Sequence, residues 1–149
     1  MKYSENFSIK LNDLLNMNFE VEKFFLEAFN NATDNTLKTF FKERQIKRSE
    51  YSMEIRNEIS KNNIAPKSVN VLNSYNYKNQ RNTKSKDVLI NEENLLVVVF
   101  RLINDSIERY NELLSEMNLP LSFCKILAKQ RDDIQDTTRV FERVNIITA

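Results

Sequence analysis

Not one of the 149 residues of this chain is a glycine, and not one is a histidine. Glycine is the residue that takes positive φ freely and lets a backbone come close to a phosphate. Its absence removes Gly-rich phosphate loops, dinucleotide fingerprints and nucleophile elbows from the motifs available. Histidine is the commonest general base and metal ligand. Without it there is no Ser-His-Asp triad, no Cys-His pair and no His-bearing zinc or di-iron site. Most familiar catalytic chemistry is excluded before any helix is drawn.

Apolar residues recur at spacings of three and four in four segments, the periodicity of one buried helical face. The first spans about residues 8–30, with Leu11, Leu14, Leu15, Asn18, Val21, Glu22, Phe25, Ala28 and Phe29 in line. Asparagine, threonine and aspartate between Asn30 and Asn35 favour a turn and an N-cap. A second helix is expected over 35–61, carrying Leu37, Phe40, Phe41, Arg44, Arg48, Tyr51, Ile55 and Ile59. The short link makes the first two helices an antiparallel hairpin. Periodicity fails over 62–86, which holds five basic residues (Lys67, Lys78, Arg81, Lys84, Lys86), Tyr75, Tyr77 and no acid. That length exceeds an ordinary loop and implies a crossover, with a short helix around Val69 to Lys78.

A third helix is expected over 87–117, with Leu96, Val99, Ile103, Ser106, Tyr110, Leu113 and Met117 on one line. The β-branched run Leu95 to Phe100 could pass for a strand, but its helical flanks decide for a helix. Asn118-Leu119-Pro120 stops it, and a fourth helix takes 121–144 with Phe123, Ile126, Leu127, Gln130, Ile134, Thr137, Phe141 and Val144 inward. The expectation is a single all-α domain: a ferritin-like four-helix bundle of two antiparallel hairpins joined by a long crossover insert.

The charged fraction is 29%, the hydrophobic fraction 41% and the net charge +1. Such a chain can bury a core and has no global field to gather nucleic acid or an acidic membrane. Cys124 is the only cysteine, so a reducing compartment is the natural setting. The N-terminus lacks an apolar signal core, and the longest apolar run is far short of the roughly 20 residues that span a bilayer. A cytoplasmic protein without membrane contact is expected.

Leu11-Asn12-Asp13-Leu14-Leu15, followed by Asn18, Glu20 and Phe25, resembles the first helix of a bacterial family of ferritin-like four-helix-bundle proteins described as a domain of unknown function. Leu37-Lys38, Phe41, Tyr51 and Glu54-Ile55 are similar to its second helix, and Tyr110 with Leu114 to its third. Leu119-Pro120, Leu127, Gln130 and Asp133-Ile134 are similar to its fourth. The resemblance implies the fold and no particular activity. Relatives typically carry glutamates in the first half of the third helix, where this chain reads Val97-Val98-Val99-Phe100-Arg101-Leu102-Ile103, and often a histidine near Thr138. The middle of the bundle is therefore expected to be filled with hydrocarbon.

Candidate chemistry is sparse. A di-iron bundle needs inward glutamates and Glu-x-x-His pairs; here Glu22 is the one acid on the first inner stripe, and Gln130 with Asp133 is the nearest equivalent of a ligand pair. Glu22, Gln130 and Asp133 are the candidates for a reduced carboxylate site, although no metal or other cofactor is expected. Glu22 could instead pair with Arg44 or Arg48, or the arginines could snorkel to water. The basic insert with its tyrosines could serve a single nucleic-acid strand, but five cations in a loop more often keep it solvated. Cys124, in the first turn of the fourth helix, lacks a histidine base and reads as a small apolar residue. The apolar girth of the third helix calls for cover by the insert and a modest contact with a second copy. The reading is a non-enzymatic, metal-free bundle acting through protein contacts or oligomerisation. A metal-binding or oxidoreductase protein with a reduced carboxylate site comes second, and a nucleic-acid-associated stress protein third.

Overall fold

The computed structural model describes residues 5–62, 92–116 and 119–148. Four helices make up almost all of these: α1 (Glu5–Asn31), α2 (Asn35–Lys61), α3 (Glu92–Leu114) and α4 (Leu121–Thr148). Each agrees with an expected segment. α1 begins three residues earlier than expected and α4 runs four residues further, as helix ends commonly differ from pattern-based limits. The expected crossover over 62–86 and the expected first turn of the third helix at 87–91 lie outside the described residues, apart from Asn62.

Local chemistry sets the ends of α2. Asp34 keeps an extended backbone and its carboxylate accepts from the Leu37 N–H at 3.0 Å, satisfying one of the free donors of the first turn. At the other end the Asn62 N–H donates to the Glu58 carbonyl, and Lys61 places a cation in the last turn. Between α3 and α4 the Cys124 N–H donates to the Pro120 carbonyl, so proline stands where its missing donor costs nothing.

The helices form a square in which α1 packs on α2 and α3, and α4 packs on α2 and α3. Lys10 near the start of α1 meets Glu116 beyond the end of α3 at 2.6 Å, so these two run antiparallel. Ser122 at the start of α4 donates to Glu58 near the end of α2, at 3.1 Å. α2 therefore ends where α4 begins. Phe100 of α3 packs edge-on against Phe141 of α4, placing the start of α3 at the opposite end of the bundle.

That opposite end is aromatic. Phe25 stacks on Phe41 with centroids 6.2 Å apart, and Phe40 and Phe141 lie 5.0 Å apart. Such ring pairs add to the area that they bury. The other end is mainly aliphatic, with Leu11, Leu14, Ile55, Ile59, Leu113 and Leu127 buried around Phe123. Of the apolar run in α3, Val99 and Ile103 face the core, while Val98, Phe100 and Leu102 are partly buried against it. Only Val97, at 54% exposure, stands largely in solvent among Val97, Val98, Val99, Phe100, Leu102 and Ile103.

Two substitutions separate core from surface. Phe41→Ala should cost about 3–5 kcal/mol of stability, the range for emptying a buried aromatic site. Val97→Ala should stay within about 0.5 kcal/mol, as surface changes do. Urea unfolding followed by circular dichroism measures both.

Candidate functional site

The middle of the bundle is not hydrocarbon. Between the aromatic and aliphatic ends lies a layer of polar side chains drawn from all four helices, and this corrects the expectation taken from the third-helix sequence. Asn18, Arg48, Ser106, Gln130 and Thr137 are all buried there, with Tyr51 and Tyr110. Each sits on a stripe that is otherwise apolar, so helical periodicity alone carries it inward.

Arg48 is the centre of the layer. Only 4% of it is exposed, and one guanidinium nitrogen donates to Asn18 Oδ1 at 2.8 Å and to Ser106 Oγ at 3.1 Å. A guanidinium has donors only, so it fixes the Asn18 carboxamide with its oxygen towards α2. The Asn18 amide then donates to the Tyr110 hydroxyl at 3.0 Å. The Tyr110 hydroxyl donates in turn to Gln130 Oε1 at 2.6 Å. Gln130 donates in turn to the Tyr51 carbonyl and to Glu54 Oε1, at 3.3 and 3.2 Å. Ser106, its oxygen occupied by Arg48, donates to the Leu102 carbonyl one turn back. The chain of bonds links α1, α2, α3 and α4 at one height. Its direction of donation is set by the one group that cannot accept.

Burial shapes the acid–base behaviour of the layer. It lowers Arg48 to about 10, and the neighbouring positive charge of Arg44 pushes the same way. The buried Tyr110 hydroxyl is raised to about 12, with burial the chief cause and Arg48 opposing it. Tyr51 is raised further, by burial and then by its hydrogen bond to the Asp133 carboxylate. Both phenols are therefore neutral donors at physiological pH.

The layer opens onto a groove of about 610 Å³ between α2 and α4. Tyr51 and Gln130 are common to both. Five carboxylates line it (Glu50, Glu54, Asp132, Asp133 and Asp136), against two ammonium groups, Lys47 and Lys129. Its electrostatics favour cationic groups. Glu54 accepts from Gln130, and Asp133 accepts from Tyr51.

Of the three candidate ligands, Gln130 and Asp133 come together in this groove, three residues apart on α4. Glu22 is not among its lining residues; it accepts from Gln45 at 3.2 Å between α1 and α2. Among the described residues no group of three or more His, Cys, Asp or Glu side chains is placed to hold a metal ion. The Glu22–arginine pair, one of the two alternatives for these groups, does not form among the described residues. Arg48 bonds Asn18 and Ser106, and Arg44 bonds Thr137 Oγ1 at 3.2 Å. The snorkelling alternative fails for Arg48 as well, because its guanidinium is enclosed. Sequence reasoning placed Tyr51, Ser106 and Tyr110 inward but assigned them no polar role. The signal was a hydroxyl, carboxamide or guanidinium on every inner stripe, a group that must be paired when buried. Cys124 is half-buried, with its thiol against the Leu119 carbonyl at 3.9 Å. The basic insert lies outside the described residues.

Residues 6–116 match the family described as "Domain of unknown function (DUF2383)", and the chain belongs to that family. No curated protein and no solved structure matches the chain. No described helix is long and apolar enough to cross a membrane.

Tyr110→Phe would leave the Asn18 amide and the Gln130 oxygen short of a partner and should cost about 1–3 kcal/mol. The gap between parent and variant also depends on pH. A phenol raised to about 12 in the folded state contributes stability that is full below pH 10 and is lost as pH rises through 12. Urea unfolding at pH 9 and pH 11 should show the gap narrowing at the higher pH.

Proposed function

We propose that this DUF2383 member is a non-enzymatic, metal-free, ferritin-like bundle that acts through protein contacts. The observation that carries the reading is the position of Arg48. Where a carboxylate-ligated metal would occupy such a bundle, this one holds a buried guanidinium, and a fixed positive charge opposes a cation at the same point. The side chains of the layer around Arg48 bond one another, so this part of the interior serves to join the helices. Work is left to the outer surface.

A concave part of that surface among the described residues is the α2–α4 groove, whose carboxylates suit a basic segment of a protein partner. The third helix offers little for a seam between two copies among its described side chains, since Val98, Val99, Phe100, Leu102 and Ile103 turn wholly or partly into the core and Val97 is largely exposed. The absence of histidine and the single cysteine, Cys124, fit a cytoplasmic binding protein.

A second reading has one observation in its favour. Gln130 and Asp133 share the groove with Glu50, Glu54, Asp132 and Asp136, so a hard cation could be drawn there by carboxylate oxygens. Elemental analysis and calorimetric titration with Fe²⁺ and Mn²⁺ of untagged protein decide between the two. The proposal predicts no stoichiometric metal and no saturable heat. One equivalent per chain, lost in Asp133→Asn, would establish the carboxylate site instead.

A further inference from the structure

The carboxylates of the α2–α4 groove fall into two sets that differ in what holds them. Glu54 accepts from Gln130 and Asp133 from Tyr51, so the polar layer of the core fixes both groups in place. The side chains of Glu50, Asp132 and Asp136 are more than half exposed. Their partners are cations of their own helices, Lys47, Arg131 and Arg139, at 3.9, 3.3 and 3.9 Å. Exposed pairs of this kind contribute little, so these carboxylates can exchange them for the cations of a ligand. Among the described residues no three acids converge as a metal ion would require. On α2 the groove runs from Lys47 to Asn57, about 15 Å of helix. It therefore suits several cations in a row rather than one ion.

Apolar side chains border the same groove. Met53 lines it and is 63% exposed. Ile46, two turns before Met53 on α2, and Val140, one turn after Asp136 on α4, lie on the groove side of their helices and are exposed as well. A matching ligand thus carries hydrocarbon beside its cations. An extended segment draws affinity from backbone hydrogen bonds to its host, and the walls of this groove have already used theirs within α2 and α4. A helix satisfies its own backbone, and its ridges can seat in the trough between two packed helices. We infer that a basic amphipathic helix of a protein partner docks lengthwise in the α2–α4 groove over about three turns, its cations against Glu50 and Asp136 and its apolar residues against Ile46, Met53 and Val140. The core layer holds Glu54 and Asp133 ready for it, which reduces the ordering that binding costs. This inference rests on the protein-contact reading above and adds the form of the partner, a helix with an apolar edge.

The test uses a fluorescein-labelled, alanine-based helical peptide of about 20 residues, with lysines four residues apart and leucines beside them on one face. A control peptide of the same composition is reordered so that lysine and leucine encircle the helix. Titrated with the full chain at low salt, the first peptide should give a saturable rise in anisotropy, with a dissociation constant about tenfold below that of the control. Glu50→Gln combined with Asp136→Asn, both exposed and outside the polar layer, should weaken the first peptide about tenfold and leave the helical circular dichroism unchanged. Equal binding of the two peptides would overturn the helical partner and leave a basic segment in the groove. Binding of neither would overturn both readings, and undiminished binding by the double variant would place the contact elsewhere on the bundle and overturn this one.

Discussion

A guanidinium buried at mid-height constrains everything around it. Removing a charge from water costs several kcal/mol unless its hydrogen bonds are replaced. Arg48 therefore dictates what stands opposite: a carboxamide oxygen from α1 and a hydroxyl from α3. Neither acceptor is left idle on its other side. Asn18 hands the sequence of bonds to Tyr110, Tyr110 to Gln130, and Gln130 to the backbone of Tyr51. Because a guanidinium donates and never accepts, the direction of every later bond follows from it. The circuit closes on α2, the helix where it began.

Such a layer specifies register in a way that oil cannot. The aromatic end could tolerate a helix slipping by a turn, since apolar contacts are non-directional. A one-turn slip of α3 would take Tyr110 away from Asn18 and Gln130 together. The buried donors and acceptors would then be stranded, each at a cost comparable to a lost hydrogen bond. For this bundle the polar layer acts as a pin that sets the relative heights of four rods, a role well attested for buried polar groups in helical assemblies.

The architecture was legible because helical periodicity is strong and long. Leu11, Leu14, Val21 and Phe25 on α1, and Phe123, Leu127, Ile134 and Phe141 on α4, were expected inward and are buried. The polar layer was half legible. Asn18, Arg48, Ser106, Tyr110 and Gln130 were on the expected inner stripes, yet which of them meet depends on the relative heights of the helices. Those heights come from packing between segments far apart in sequence, as the separation of 92 residues between Asn18 and Tyr110 illustrates. Periodicity carries no such term. The hydrocarbon-filled middle was inferred from one helix, Val97 to Ile103, whereas the polar layer crosses α3 one and two turns later, at Ser106 and Tyr110. Similarly, Glu22 and Gln130 share an inner orientation but not a neighbourhood.

Nitrogen-15 spectroscopy of the arginine side chains addresses the enclosed guanidinium most directly. Exposed arginines show averaged, fast-exchanging Nη protons. The account predicts one arginine, identified by its loss in Arg48→Lys, with resolved and slowly exchanging Nη protons and cross-peaks to Asn18 and Ser106. Averaged Nη signals for Arg48, with no contact to either residue, would contradict it.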